Sequence, residues 1–317
     1  MSWIEAIFAT LASPLFYRLT ILSALPLVFA AIGGVFSEKT GVTNIALEGI
    51  MKIGAFTSIV FAIKFDNPWL GLIMGMLAGV ILAALHAYVS IEWSADQIVS
   101  ATALILIAQG LVGFLMIPIF GHKGQTNLVA HKLPTVELPI IKDIPFIGAI
   151  FNDLSIFFYF AIIIIFASWY LIYKTPLGLR MRAVGENPKA ADTLGVNVKK
   201  IRYFGVLMSG LLAGLGGVYI ALGDIGQFIE DMPSGKGFIA LAAMILGNWN
   251  PIGAMWASLL FGAAEAMNIQ LQSMLTLPSE MKALLNLLPF VITIIIVGGF
   301  VGKTRAPAAD GQPYEKE

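Results

Sequence analysis

An all-α polytopic membrane protein is the fold class this sequence predicts, and three observations carry it. Hydrophobic residues make up 58% of the 317 residues and charged ones 12%, against roughly 25% charged in soluble domains. The mean hydropathy is +0.86. Several apolar runs approach or exceed the ~20 residues needed to cross ~30 Å of hydrocarbon. The 19 Lys and Arg balance the 19 Asp and Glu, so no global field points to nucleic acid. The absence of cysteine excludes disulfides, thiolate nucleophiles and Cys-bound metal. The start, MSWIEAIFATLASP, has no basic segment and carries Glu5, unlike a cleaved signal peptide.

Taken in order, residues 2–17 place Trp3, Ile7, Phe8, Leu11 and Leu15 at near-helical spacing around one acid, Glu5. That predicts an interfacial helix over 1–17. A single transmembrane domain over 18–301 follows. Its first span covers about 18–36 and ends in Gly33-Gly34. A polar break runs from Ser37 to Gly49, then a helix of about 50–64, the turn Asp66-Asn67-Pro68 and a span of about 69–91. After EWSADQ a fourth span covers about 98–118. Residues 119–153 form a long loop with Pro134, Pro139 and Pro145 and balanced charges. The fifth span is about 154–173. A basic island follows over 174–202, and then a span of about 203–222. Its Gly205, Gly210, Gly214, Gly216 and Gly217 suit close helix contact in the bundle interior. The loop 223–237, with Asp224, Glu230 and Asp231, leads to a short helix of about 238–247 and the break Asn248-Trp249-Asn250-Pro251. Spans of about 252–272 and 284–301 precede a polar tail, 302–317, too small to be a domain.

Basic residues in short loops stay cytoplasmic, which puts the island and the tail inside and the N-terminus outside, with about nine membrane helices. The first half reads as break, short helix, Asn67-Pro68 and a long helix with Gly71, Gly75 and Gly79. The second half repeats that order with Asn250-Pro251, Gly253 and Gly262. The two Asn-Pro turns fall on opposite sides. Two inverted repeats with broken helices predict a solute path at their interface near the midplane.

Ionisable and strongly polar residues inside spans are the default functional candidates. Asn44 and Glu48 lie at the first break, Gln109 is mid-span, and Glu265 is mid-span with Asn268 three residues on. Glu265 reads either as a pathway residue or as a helix–helix hydrogen bond; His86 reads as an interfacial or packing residue. The run Gly298-Gly299-Phe300-Val301-Gly302-Lys303-Thr304 imitates a phosphate loop, but Val297 stands where its first glycine belongs and a membrane helix precedes it, not a strand. No carboxylate pair, Ser/His/Asp set or metal-spaced histidine cluster argues for an enzyme.

The island, KTPLGLRMRAVGENPKAADTLGVNVKKIR, holds Lys174, Arg180, Arg182, Lys189, Lys199, Lys200 and Arg202 against Glu186 and Asp192. At its centre Asn187 is a good N-cap, Pro188 suits the first helical position, and Gly195 can take the left-handed conformation that closes a helix. A valine at Gly195 is expected to clash there. So short a helix cannot persist alone in water, and needs the membrane part or a partner to hold it. The plain alternative is a solvated connecting loop.

These residues resemble a known family. Gly185, Asn187, Ala190, Ala191, Gly195, Val196 and Asn197, followed by Ser209, Gly210, Ala213, Gly214 and Gly217, match the coupling region of permease subunits from ABC importers of the ribose and branched-chain amino acid type. The likeness runs along nearly the whole chain. Within that family, GGVFSEKTGVTNIALEG (33–49) looks like the nucleoside, or simple-sugar, subgroup; ribose permeases carry G-I-D-L-S where this chain has Gly41-Val42-Thr43-Asn44-Ile45. Sugar permeases of the family usually begin with one more span, giving ten with both ends inside; this chain departs by lacking it, which agrees with the nine counted here.

The resemblance implies a multi-pass subunit of a prokaryotic inner membrane that binds no cofactor itself. ATP and magnesium would sit on separate ATPase subunits gripping the helix through Gly185, Glu186, Asn187, Pro188, Lys189, Ala190, Ala191, Asp192 and Gly195. A second homologous permease, as heterodimer or homodimer, and an extracytoplasmic binding protein or lipoprotein complete the assembly. Nucleosides are the implied solute. Ribose or another simple sugar is the nearest alternative, and an ion-coupled secondary transporter using Glu48 or Glu265 the next.

Overall fold

The computed structural model describes residues 2–139, 141–275, 278–287, 291, 294–295 and 304–315. Helix α1 (Trp3–Ala12) carries a capping box, with Ser2 and Glu5 satisfying each other's backbone N–H groups. Helix α2 (Pro14–Glu38) follows at once, because Ser13 caps it and Pro14 takes the first position. The break between the two therefore lies four residues before the expected one. Gly33-Gly34 does not end α2. A Cβ on Gly33 would lie 2.9 Å from the Ser209 carbonyl oxygen, and one on Gly34 2.8 Å from the Met244 sulfur. The pair marks where two other helices press on α2.

Next come α3 (Leu47–Phe65), α4 (Pro68–Ile91) and α5 (Gln97–Phe120). Between α5 and α7 the long loop holds α6 (Ile147–Phe151), and its β1 (Thr135–Val136) makes a two-residue antiparallel pairing with β2 (Leu154–Ser155) just before α7. Then α7 (Ile156–Lys174), α8 (Pro176–Glu186) and α9 (Pro188–Thr193) lead to α10 (Val198–Val218), which runs on as a π-helical segment, Tyr219–Ile225. Helices α11 (Lys236–Leu246), α12 (Pro251–Met274) and α13 (Ser279–Leu285) complete the described part.

Among the described residues six helices are long and apolar enough to cross a membrane: α2, α4, α5, α7, α10 with its π segment, and α12. Helix α3 has the length but carries Glu48, Lys52 and Lys64; α11 is apolar but short. The span expected over 284–301 lies mostly outside the described residues, as does most of the run resembling a phosphate loop.

Helix α10 is the hub, with 83% of its most apolar stretch buried against 28% for α5 and for α7. It packs on α2, α3 and α4, while α12 packs on α2. Its glycines allow this: a Cβ on Gly217 would overlap the Met51 carbonyl, and one on Gly54 would lie 2.7 Å from the Gly214 carbonyl oxygen. Both Asn-Pro turns have the same chemistry. Asn67 Oδ1 accepts from the N–H groups of Trp69 and Leu70, and Asn250 Oδ1 from that of Ile252, with proline at the first helical position each time.

The bundle has two distinct ends. One gathers residues 39–46, the α4–α5 connection, the basic island, the α11–α12 turn and the segment 304–315; Lys199 and Glu92 pair there at 2.6 Å. At the other end, the long loop lies on residues 226–230 through backbone bonds from Thr126 to Phe228, Val129 to Gly226 and Glu230 to Gly124.

Candidate functional site

A cavity of about 340 Å³ opens beneath that long loop, between α2, the π segment, the 226–235 loop and α12. Its polar lining is Ser23, Tyr219, Asp224, Ser234, Lys236 and Glu265. Lys236 opens α11, and its Nζ reaches both oxygens of Glu265 on α12, at 2.6 and 2.7 Å. Pro26, in the middle of α2, adds a wall at a point where that helix lacks one backbone N–H. The π segment, a distortion common at functional sites, turns Tyr219 and Asp224 toward the same space. Lys132 of the covering loop donates to the Asp224 carbonyl at 3.0 Å.

Glu48 sets the position of this group from behind. Its Oε1 accepts from the Gly235 N–H and its Oε2 from the Gly237 N–H, both at 2.7 Å. A carboxylate on the N-terminus of α11 meets both its unbonded amides and the positive end of its dipole. Lys236 stands between those two glycines, so Glu48 fixes where its side chain starts.

The other sequence-predicted pathway residues lie elsewhere. Asn44 is fully buried; its Nδ2 donates to Ser209 Oγ (2.9 Å) and its Oδ1 accepts from the Ala46 N–H (3.1 Å), tying the α2–α3 break to α10. Asn268 joins Gln272 and Asn286 in an amide cluster beyond the cavity. Gln109 is on the exposed face of α5. His86 packs as expected: its Nδ1 lies 3.1 Å from Ser100 Oγ and its Nε2 3.0 Å from the Thr43 carbonyl oxygen. Asp224, Lys236 and Tyr219 were missed as site residues, since Asp224 and Lys236 fall inside a stretch that reads as a polar loop. The available signal was Lys236 itself, a cation beginning an apolar helix in a chain with a mid-span Glu265.

The helix in the basic island forms as its sequence predicts. Asn187 Oδ1 accepts from the Ala190 N–H at 3.0 Å. At the far end the N–H groups of Gly195 and Val196 donate to the carbonyls of Asp192 (2.8 Å) and Ala191 (3.0 Å), the paired bonds of a Schellman motif. Gly195 has φ +81°, with nothing within 4 Å of where a Cβ would stand. The expected clash of a valine there is thus corrected: the cost is backbone strain alone. Pro188 opens the helix, whose Ala191 is buried while Lys189 and Ala190 are exposed, as is Glu186 at the end of α8; Leu194, at the tip, is 84% exposed.

A helical bundle with a polar cavity between its membrane helices, and one capped helix held out from its other end, is the form of a membrane transport component. The chain belongs to the branched-chain amino acid transport system / permease component family, whose model matches residues 17–297. It is similar to the guanosine ABC transporter permease protein NupQ of Bacillus subtilis (strain 168), at 44% identity over 94% of this chain and 95% of that one. It is equally similar, at 44% over 92% and 93%, to the nucleoside ABC transporter permease protein NupC of Lactococcus lactis subsp. cremoris. The guanosine ABC transporter permease protein NupP of Bacillus subtilis is more distant, at 25% over 90% of this chain and 81% of that one. The chain is thus a multi-pass membrane permease component, not an enzyme.

Proposed function

We propose that this chain is a membrane subunit of an ATP-driven importer that carries nucleosides delivered by an extracytoplasmic binding protein. The observation that carries the solute is its 44% identity, along nearly the whole chain, to permeases named for guanosine and for nucleosides. The cavity supports it. Glu265 is neutralised by Lys236 within the lining, and the Lys132 ammonium lies on the backbone carbonyl of Asp224, so acidic and basic groups meet there and neither sign of charge is concentrated to select an ion. Its hydroxyl, carboxylate and ammonium groups suit the hydroxyls and ring heteroatoms of a neutral solute. An ion-coupled transporter is disfavoured, because Glu48 is already bonded to two amides and Glu265 to Lys236.

In this reading nine helices cross a prokaryotic inner membrane as two inverted repeats, with the N-terminus outside and the basic island inside. The chain forms one transmembrane domain over 18–301, preceded by an interfacial segment and followed by a short cytoplasmic one. Two ATPase subunits, holding ATP and magnesium, grip α9; its exposed Leu194 and its dependence on neighbours for stability support such a groove. The second permease is a homologous chain. Bacillus subtilis and Lactococcus lactis each hold one relative at 44% identity and another at 25% and 27% respectively, which supports a heterodimer.

Uptake of labelled guanosine and adenosine by cells with and without this chain tests the solute, with excess ribose as competitor. Loss of nucleoside uptake on deletion, unaffected by ribose in the parent, is expected. Uptake that persists without the chain, or that ribose abolishes, sinks the nucleoside assignment.

A further inference from the structure

We propose that the segment Thr304–Tyr314 is a strut of the transport machinery, holding α9 in register with the α2–α3 break and the α11–α12 turn. That α9 is the element pushed rests on the permease reading above; the docking of the segment does not.

The segment forms neither helix nor strand, and a polar stretch of this kind stays ordered only where contacts tie it down. Four elements supply them. The Ala309 N–H donates to the Gly185 carbonyl (2.8 Å), two residues before the cap of α9. Gly185 has room for no side chain, because a Cβ would overlap the Lys39 carbonyl; the end of α8, the α2–α3 break and the segment therefore meet at one point. Thr43 Oγ1 donates to Asp310 Oδ1 (3.1 Å). The Thr43 backbone is itself held by Gln97 of α5, at 2.7 Å, and by His86 of α4, at 3.0 Å. Arg202, in the first turns of α10 and only 1% exposed, donates to the Gln312 carbonyl (3.0 Å) and lies 5.9 Å from the Tyr314 ring centre. The Arg305 N–H donates to Asn248 Oδ1 (3.0 Å) in the α11–α12 turn.

A two-turn helix on short connections would give way under load. A segment bonded to the elements on all sides of it makes the inner end of the bundle one body, through which movement of α9 reaches the break and the turn. Asp310 is its central anchor, facing Thr43, Glu38 and Arg202. Burial pushes its carboxyl up to about 6, against the hydrogen bonds from Thr43 and Glu38 and the charge of Arg202, as expected for a group enclosed by protein.

The test uses the full complex with its ATPase and binding protein. A stop codon at Thr304 is expected to leave complex yield near wild type and to lower guanosine uptake and solute-stimulated ATP hydrolysis about tenfold, a typical coupling effect. In this cysteine-free chain, Thr43→Cys with Asp310→Cys replaces the anchoring hydrogen bond with a disulfide. Uptake should be low under reductant and recover on oxidation. Recovery separates a strut from a segment that only aids folding, and from a latch that must release. Wild-type uptake by the truncated chain, loss of assembly on truncation, a failure of the cysteines to cross-link, or uptake that does not rise on oxidation would each overturn the strut. An inactive wild-type complex whose cysteine variant still cross-links would instead overturn the permease reading.

Discussion

Lys236 and Glu265 are partly water-accessible, with 20% and 31% of their side chains exposed. Losing one partner should therefore cost about 1–3 kcal/mol, less than for a dry buried pair. Lys236→Met is expected to lower both the membrane level of the chain and uptake. Lys236→Met with Glu265→Gln removes both charges, and should restore the level but not the uptake, if the pair faces the solute. Transport regained together with the level would make the pair a structural tie only, so Western-blot level and initial uptake rate are read side by side. Single residues were unevenly legible. Asn187, Gly195 and Glu265 stood out because a cap, a left-handed position and a charge inside an apolar run each has a local cause. Glu48 stood out as a charge near a break, but its two amide partners lie about 190 positions along the chain. Nothing near Glu48 in sequence points to Gly235 or Gly237.

Elements were more readable than their edges. Helix α9 appeared where its cap, proline and glycine placed it. Its closing turn carries the second prediction. Gly195 sits at φ +81° with open space around it, so Gly195→Val pays only left-handed strain, about 1–2 kcal/mol, and the helix frays without disturbing the bundle. Gly195→Asn should be tolerated, since asparagine also closes helices in this conformation. The valine variant is expected to insert normally and lose most solute-stimulated ATP hydrolysis, while the asparagine variant keeps most of it. Equal activity in the two would show that the end of α9 bears no load. The end of α2 was misread for a physical reason. A Gly-Gly pair signals a helix end in water, where glycine adds disorder, but marks close contact in a bundle, where a missing side chain admits another helix.

For the molecule as a whole, orientation is the quantity that the charge pattern predicts most directly. Asn127→Cys, exposed in the long loop, should react with a membrane-impermeant thiol reagent in intact cells. Lys189→Cys, exposed on α9, should react only after permeabilisation. The reverse pattern would invert the bundle and place α9 where no ATPase can reach it. By itself the sequence determined the class of molecule, most of the helices and the capped helix, because hydropathy, caps and glycine chemistry act over a few residues. The tertiary structure alone decided that Glu48 holds Lys236 against Glu265, that Asp224 and Tyr219 join them, and that the segment 304–315 closes the end of the bundle that carries α9. Each of those depends on helices far apart in the chain being brought within hydrogen-bond reach, and no local pattern encodes which distant partner a buried polar group will find.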